Sequence, residues 1–95
     1  MEFKKFDQDK PRTELIPPSA ILEVAKVLAF GAKKYSDDNW KQCENNKRYL
    51  GAALRHIFQY ESGEMIDNET GLSHLSHAVA SLLFALELDK MDKQE

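Results

Sequence analysis

The chain has 95 residues, 42% hydrophobic and 31% charged, a balance that builds one globular domain with a modest core and excludes both a disordered and a membrane-embedded chain. A net charge of −3 lacks the basic excess with which a protein displaces counterions from phosphate backbones, so duplex nucleic acid is excluded as a partner. The lone Cys43 permits no internal disulfide and no zinc-type pair, and no apolar run approaches the roughly 18 residues of a spanning helix, so a reduced, cytoplasmic, non-membrane protein is expected.

Residues 1 to 16 carry mixed charge around a turn-like Lys10-Pro11-Arg12 and read as an extended arm. A helical core should follow over residues 17 to 90, with a frayed tail over 91 to 95, all within one domain spanning 1–95. Pro17 and Pro18 stop anything upstream and Ser19 is placed to cap, so a helix is predicted from about residue 19 to 34. Its stripe is Ile21, Val24, Ala25, Leu28 and Ala32. Tyr35 to Lys47 is rich in Asp, Asn and Ser without a period, and reads as a long loop.

A second helix is predicted from about residue 46 to 61, with Leu50, Ala53, Leu54, Ile57 and Phe58 on its apolar side and Gly63 ending it. The linker Gly63 to Gly71 concentrates carboxylates beside turn residues, and Thr70 is a plausible cap for the next helix. That third helix, from about residue 72 to 88, carries Leu72, Leu75, Val79, Leu82, Leu83 and Leu86 on one stripe and Ser73, His74, His77, Ala78 and Ser81 elsewhere. The expected fold is all-α: a three-helix unit with an extended N-terminal arm, its small core completed by oligomerisation.

The residue types with chemistry gather in the second half. Arg55 and His56 lie on helix two, Glu61, Glu64, Asp67 and Glu69 at its end and in the linker, and His74 and His77 on helix three. If these helices form an antiparallel hairpin, the linker carboxylates crown one end of it within reach of the histidines. A hard cation such as magnesium takes carboxylate oxygens and water, which Glu61, Glu64 and Asp67 could supply. His74 and His77 share a helical face and suit metal or phosphate, or simply a polar interhelical seam; the carboxylates read equally as a solvated helix end. Lys10, Arg12, Lys33, Arg48 and Arg55 are candidates for phosphate, Arg48 and Arg55 above all because seven residues place both on one face beside Ala52. Tyr35, Asn39 and Trp40 could stack on and hydrogen-bond a base, or Trp40 could pin its loop to the core.

Four segments in order, KFDQDKPRTELIPP, GAKKYSDDNW, Arg48-Tyr49 followed by Arg55-His56, and GEMIDNETGLSHLSHA, resemble phage proteins of the dATP/dGTP diphosphohydrolase-like family across nearly the whole chain. The resemblance implies an all-α nucleotide pyrophosphohydrolase that cuts a purine deoxynucleoside triphosphate into monophosphate and pyrophosphate with magnesium, in a host cytoplasm if phage-encoded. The family-like positions are Lys10, Arg12, Lys33, Tyr35, Asn39, Trp40, Arg48, Tyr49, Arg55, His56, Gly63, Glu64, Asp67, Gly71, His74 and His77. On an enzyme reading of the residues, Lys10, Arg12, Lys33, Tyr35, Asn39, Trp40, Arg48 and Arg55 bind the nucleotide, Glu61, Glu64 and Asp67 hold magnesium, and His56, Glu64, Asp67, His74 and His77 carry the chemistry. There is one departure. All-α pyrophosphatases of the MazG type carry ExxE and a later ExxD on two helices; Glu61 and Glu64 give the first spacing, but His74 and His77 stand where the second acidic pair is expected. Either the metal site is built differently, or the chain binds and sequesters a nucleotide or cyclic nucleotide without hydrolysing it. A purely structural helical assembly factor is the third reading.

Overall fold

A computed structural model describes residues 2–4 and 9–92. The start of the first motif, residues 5 to 8, and the last three residues of the predicted tail lie outside the described residues. The order is a 3-10 turn over Thr13–Leu15, α1 over Pro18–Lys34, a second 3-10 turn over Asn39–Gln42, α2 over Lys47–Glu61 and α3 over His74–Asp92. Among the described residues there is no strand, only an isolated antiparallel bridge between Ile66 and Ser73, so the fold is all-α.

The helix ends follow from their residues. Pro18 opens α1, where its missing N–H costs nothing, and Pro17 rather than Ser19 takes the cap position, with no side-chain cap bond. Gly63 ends α2 as predicted: at φ +100° it adopts the left-handed conformation. Its amide then donates to the Tyr60 carbonyl at 3.0 Å and the Glu64 amide to the Gln59 carbonyl at 3.1 Å, the paired bonds of a Schellman ending. Ser73, not Thr70, caps α3, its hydroxyl accepting from the Leu75 amide at 3.1 Å. The helix also continues past the predicted end at Leu88 through Asp92.

α3 is the common neighbour, packed along α2 and crossed by α1. The buried apolar residues are Val24, Ala53, Ala78, Ala80 and Ala85, so the helices meet through small side chains that allow close approach. The Asn46 side-chain amide donates from Nδ2 to the Ala85 carbonyl at 3.2 Å, fastening the start of α2 to α3. At the other end Lys34 Nζ bonds Glu69 Oε2 at 2.7 Å, tying the end of α1 to the α2–α3 linker.

The leucine stripe of α3 is not the core of this chain. Leu75, Val79, Leu82, Leu83 and Leu86 are 41–60% exposed, and on α2 Leu50, Leu54 and Phe58 are also exposed. Periodicity identifies an apolar face without identifying what covers it; here the alanine and histidine side of α3 turns inward. Among the described residues, His74 is the one large side chain that is fully buried, so the interior of the single chain is polar where its outside is leucine-rich.

Candidate functional site

All three histidines of the chain converge where the α2–α3 hairpin closes. His56 reaches in from α2, and His74 and His77 from the first turn of α3. His56 and His74 meet Nδ1 to Nδ1 at 2.8 Å, which requires one of the two nitrogens to donate a proton and the other to accept it. His56 also stacks on His77 with ring centroids 4.6 Å apart and planes 16° from parallel. Glu64 Oε2 lies 3.9 Å from His74 Nε2, a buried nitrogen with no hydrogen-bond partner.

The linker folds to supply Asp67. Gly71 at φ +73° lets the chain reverse, with the Asp67 amide donating to the Leu72 carbonyl at 2.9 Å and the Gly71 amide to the Asp67 carbonyl at 2.8 Å. Asp67 Oδ2 accepts from the Thr70 amide at 2.9 Å and the Thr70 hydroxyl at 3.0 Å. The same hydroxyl oxygen accepts from the Leu72 amide at 3.1 Å and lies 2.7 Å from His77 Nε2. With its single proton given to Asp67, Thr70 must accept from His77, which fixes His77 as the Nε2–H tautomer.

These contacts set the charges. Burial, then the neighbouring His77 and His74, push His56 below the ordinary imidazole range. Burial also lowers His77, against an opposing pull from Asp67. Burial works to raise Asp67, but the two Thr70 hydrogen bonds, helped by His77 and His56, outweigh it and hold the carboxyl below its usual value. The resting state is therefore neutral His56 and His77 beside an ionised Asp67.

This has a consequence for stability. In the unfolded chain His56 and His77 take up protons near pH 6.5, protons that the fold resists, so unfolding becomes easier as pH falls through about 6.5 and below. Asp67 acts in the same direction at lower pH, since the stability its depressed pKa contributes is lost on protonation. The thermal midpoint of metal-free protein, followed by circular dichroism, should fall from about pH 7.5 to about pH 5.5; a flat or rising midpoint would show that the imidazoles are not held neutral.

Beside this centre lies a cavity of about 540 Å³ between α1, the long loop and α3. Tyr35, Trp40, Tyr49 and Phe84 give it aromatic walls, and Lys34, Asn39, Ser81 and Glu69 supply polar edges. Trp40 stacks on Phe84 at 4.9 Å and Tyr49 meets Phe84 edge-on at 5.1 Å, so the tryptophan both holds its loop on α3 and faces the cavity. Thr70 and His77 belong to the cavity wall and to the histidine centre alike.

The profile of the family described as dATP/dGTP diphosphohydrolase, N-terminal, matches residues 2–95. The chain belongs to this family. It is 44% identical over 80 residues to a dATP/dGTP diphosphohydrolase of Salmonella phage PMBT28, covering 84% of this chain and 27% of the relative. The chain thus spans about a quarter of that relative's length. No solved structure matches it.

Of the residues the family resemblance singled out, the structure brings together His56, His74, His77 and Asp67, with Glu64 at the rim. Tyr35, Asn39 and Trp40 line the cavity with His77. Arg48 and Arg55 share a face, but it is the exposed one, and neither lines the cavity. Lys10 and Arg12 are exposed, Arg12 paired with Glu14 at 2.9 Å. Lys33 lines a separate, shallower depression, and it is Lys34 that reaches the cavity. Acid and imidazole therefore share one hollow from which the guanidinium groups are absent.

The sequence assigns magnesium to Glu61, Glu64 and Asp67. Among the described residues, the one group whose ligand atoms converge is His56, Asp67 and His74, all within 4.8 Å of one another, and Glu61 is exposed in the last turn of α2. Two imidazoles and one carboxylate are a poor match for an ion that demands oxygen ligands. The sequence reading does not single out Lys34, Thr70, Ser81 and Phe84 as site residues, and gives Thr70 only as a helix cap. For Lys34 the signal was available, since three turns of 3.6 residues carry the inward face of α1 from Val24 to position 34 or 35.

Proposed function

We propose that this domain binds a purine deoxynucleoside triphosphate, presented as its magnesium complex, and cleaves it to monophosphate and pyrophosphate. The observation that carries this reading is that Thr70 and His77 are shared between a nucleoside-sized aromatic cavity and a centre holding neutral imidazoles beside an ionised carboxylate. The name of the phage relative supplies the substrate class. On this reading the base stacks against the aromatic wall, and Lys34 at the cavity edge exchanges Glu69 for phosphate oxygens. A water attacks the α-phosphorus; its oxygen bonds to phosphorus, the bond to the β-phosphate oxygen breaks, and the proton passes to a neutral imidazole of the centre. His56 suits that role because its lowered pKa leaves it able to accept the proton at neutral pH. Asp67, anchored by Thr70, steadies the imidazolium that forms.

A second reading is binding without cleavage, of a nucleotide or a cyclic nucleotide. It is favoured by the charge of the cavity, whose lining has no arginine and whose Lys34 is already paired with Glu69. Incubation with dGTP, dATP and magnesium, with product identification, separates the two. Pyrophosphate and dGMP or dAMP are expected, falling on the order of 10²-fold or more in His56→Gln; intact nucleotide recovered from a tight complex decides for sequestration. Trp40→Ala is expected to weaken binding on either reading, by on the order of tenfold or more. The same reading places the domain in a reducing cytoplasm as a homo-oligomer that covers its leucine-rich faces with a second copy.

A further inference from the structure

We infer that the histidine centre is a binding site for one borderline divalent metal ion of the zinc and cobalt class, held by His56, His74 and Asp67 with Glu64 bracing His74 from behind. The inference rests on side-chain placement alone. A metal-bound His56 has no free nitrogen lone pair, so on this inference the proton-accepting role in cleavage passes from His56 to His77, whose Nδ1 is unprotonated.

Two imidazole nitrogens bound to one ion at about 2.0–2.1 Å each stand about 3 Å apart. His56 and His74 already place their Nδ1 atoms at 2.8 Å, on two different helices, within a group of three ligand atoms no more than 4.8 Å apart. Asp67 spends Oδ2 on Thr70, which leaves its other carboxylate oxygen free of that pairing. Imidazole is the preferred partner of borderline ions, whereas magnesium selects oxygen, and a single gathered carboxylate leaves magnesium undersupplied.

The second observation is the other side of His74. Its ring is only 2% exposed, yet Nε2 has no hydrogen-bond partner, and the group nearest to accepting from it is the Glu64 carboxylate at 3.9 Å. A buried, unpartnered ring nitrogen is costly in a merely structural histidine. It has a reason if Nδ1 binds an ion and Nε2–H points at a carboxylate, the arrangement that orients most metal-bound histidines. Proton balance is simple. The proton shared between the two Nδ1 atoms moves to His56 Nε2, His74 keeps its proton on Nε2, and both imidazoles bind neutral. Three protein ligands leave positions open, as in catalytic rather than structural sites.

The test is direct metal binding with no nucleotide present. Chelator-stripped protein is titrated calorimetrically with zinc, manganese, cobalt and magnesium chlorides, and metal content after dialysis is measured by mass spectrometry. One zinc or cobalt ion per chain is expected, bound on the order of 100-fold or more tighter than magnesium, with the visible absorption of imidazole-bound cobalt. Glu64→Gln should weaken binding by about 10–100-fold. His56→Gln should abolish the cobalt spectrum while circular dichroism still reports folded helix. Magnesium bound as tightly as zinc, no ion retained by folded protein, or affinity unchanged in folded His56→Gln would each overturn the inference. A metal-free outcome leaves nucleotide cleavage standing, and absence of cleavage leaves the metal site standing.

Discussion

Replacing His74 with alanine should cost about 2–4 kcal/mol of stability in chelator-containing buffer, a large share of what holds so small a domain together. The substitution removes the most deeply buried large side chain and leaves the His56 Nδ1 facing a void instead of a partner at 2.8 Å. At roughly 4–8 °C per kcal/mol for a domain of this size, the thermal midpoint should drop by on the order of 10–25 °C. The backbone bond from the His74 amide to the Met65 carbonyl at 2.9 Å survives the change, so the loss measures the imidazole rather than the hairpin closure. An unfolding free energy, from denaturant titration, within about 0.5 kcal/mol of wild type would mean that the ring is a passenger, and the polar interior would lose its structural standing.

On the proposed self-association, Leu82→Glu should leave the protein a monomer. A compact monomer of 10.9 kDa exposes about 5,600 Å² by the usual surface scaling, whereas this chain exposes 7889 Å². The difference is on the order of a substantial subunit interface. Part of that excess belongs to the arm, where Phe3, Leu15 and Ile16 are exposed; the leucines of α3 together with Leu50, Leu54 and Phe58 of α2 supply a continuous apolar face for an interface. In a two-fold interface every substitution acts twice, so losing one buried leucine per chain removes roughly 3–6 kcal/mol, or about 10²–10⁴ in the dissociation constant, before the glutamate's own desolvation is counted. Sedimentation equilibrium reads this out. Wild-type protein that is already monomeric at about 100 μM would sink the idea, since such an interface should hold well below that concentration.

The helices were legible because their signals are local: Pro17-Pro18 at the start of α1, a left-handed glycine after α2, and helical spacing between them. The gathering of His56, His74, His77 and Asp67 was legible for a related reason. A short linker between antiparallel helices leaves few places for its carboxylates to go. What the sequence did not disclose depends on helix rotation and on partners. Lys33 and Lys34 are chemically interchangeable in a sequence, and about 100° of helical phase decides which one reaches the cavity. Arg48 and Arg55 were placed on one face correctly, but nothing local says whether a face of α2 turns toward α3 or away. The leucines of α3 misled for the same reason, since a strong apolar stripe is ordinarily a single chain's own core, and here a histidine occupies that position.

The indole of Trp40 is the chain's single tryptophan, and it sits in the cavity wall against Phe84. Excited selectively at long ultraviolet wavelengths, the whole emission of the molecule thus originates at one wall of the hollow, so the protein carries an intrinsic optical gauge of what enters there. A Stern–Volmer titration with a small quencher would read how open the chamber is, with no dye attached and no residue changed.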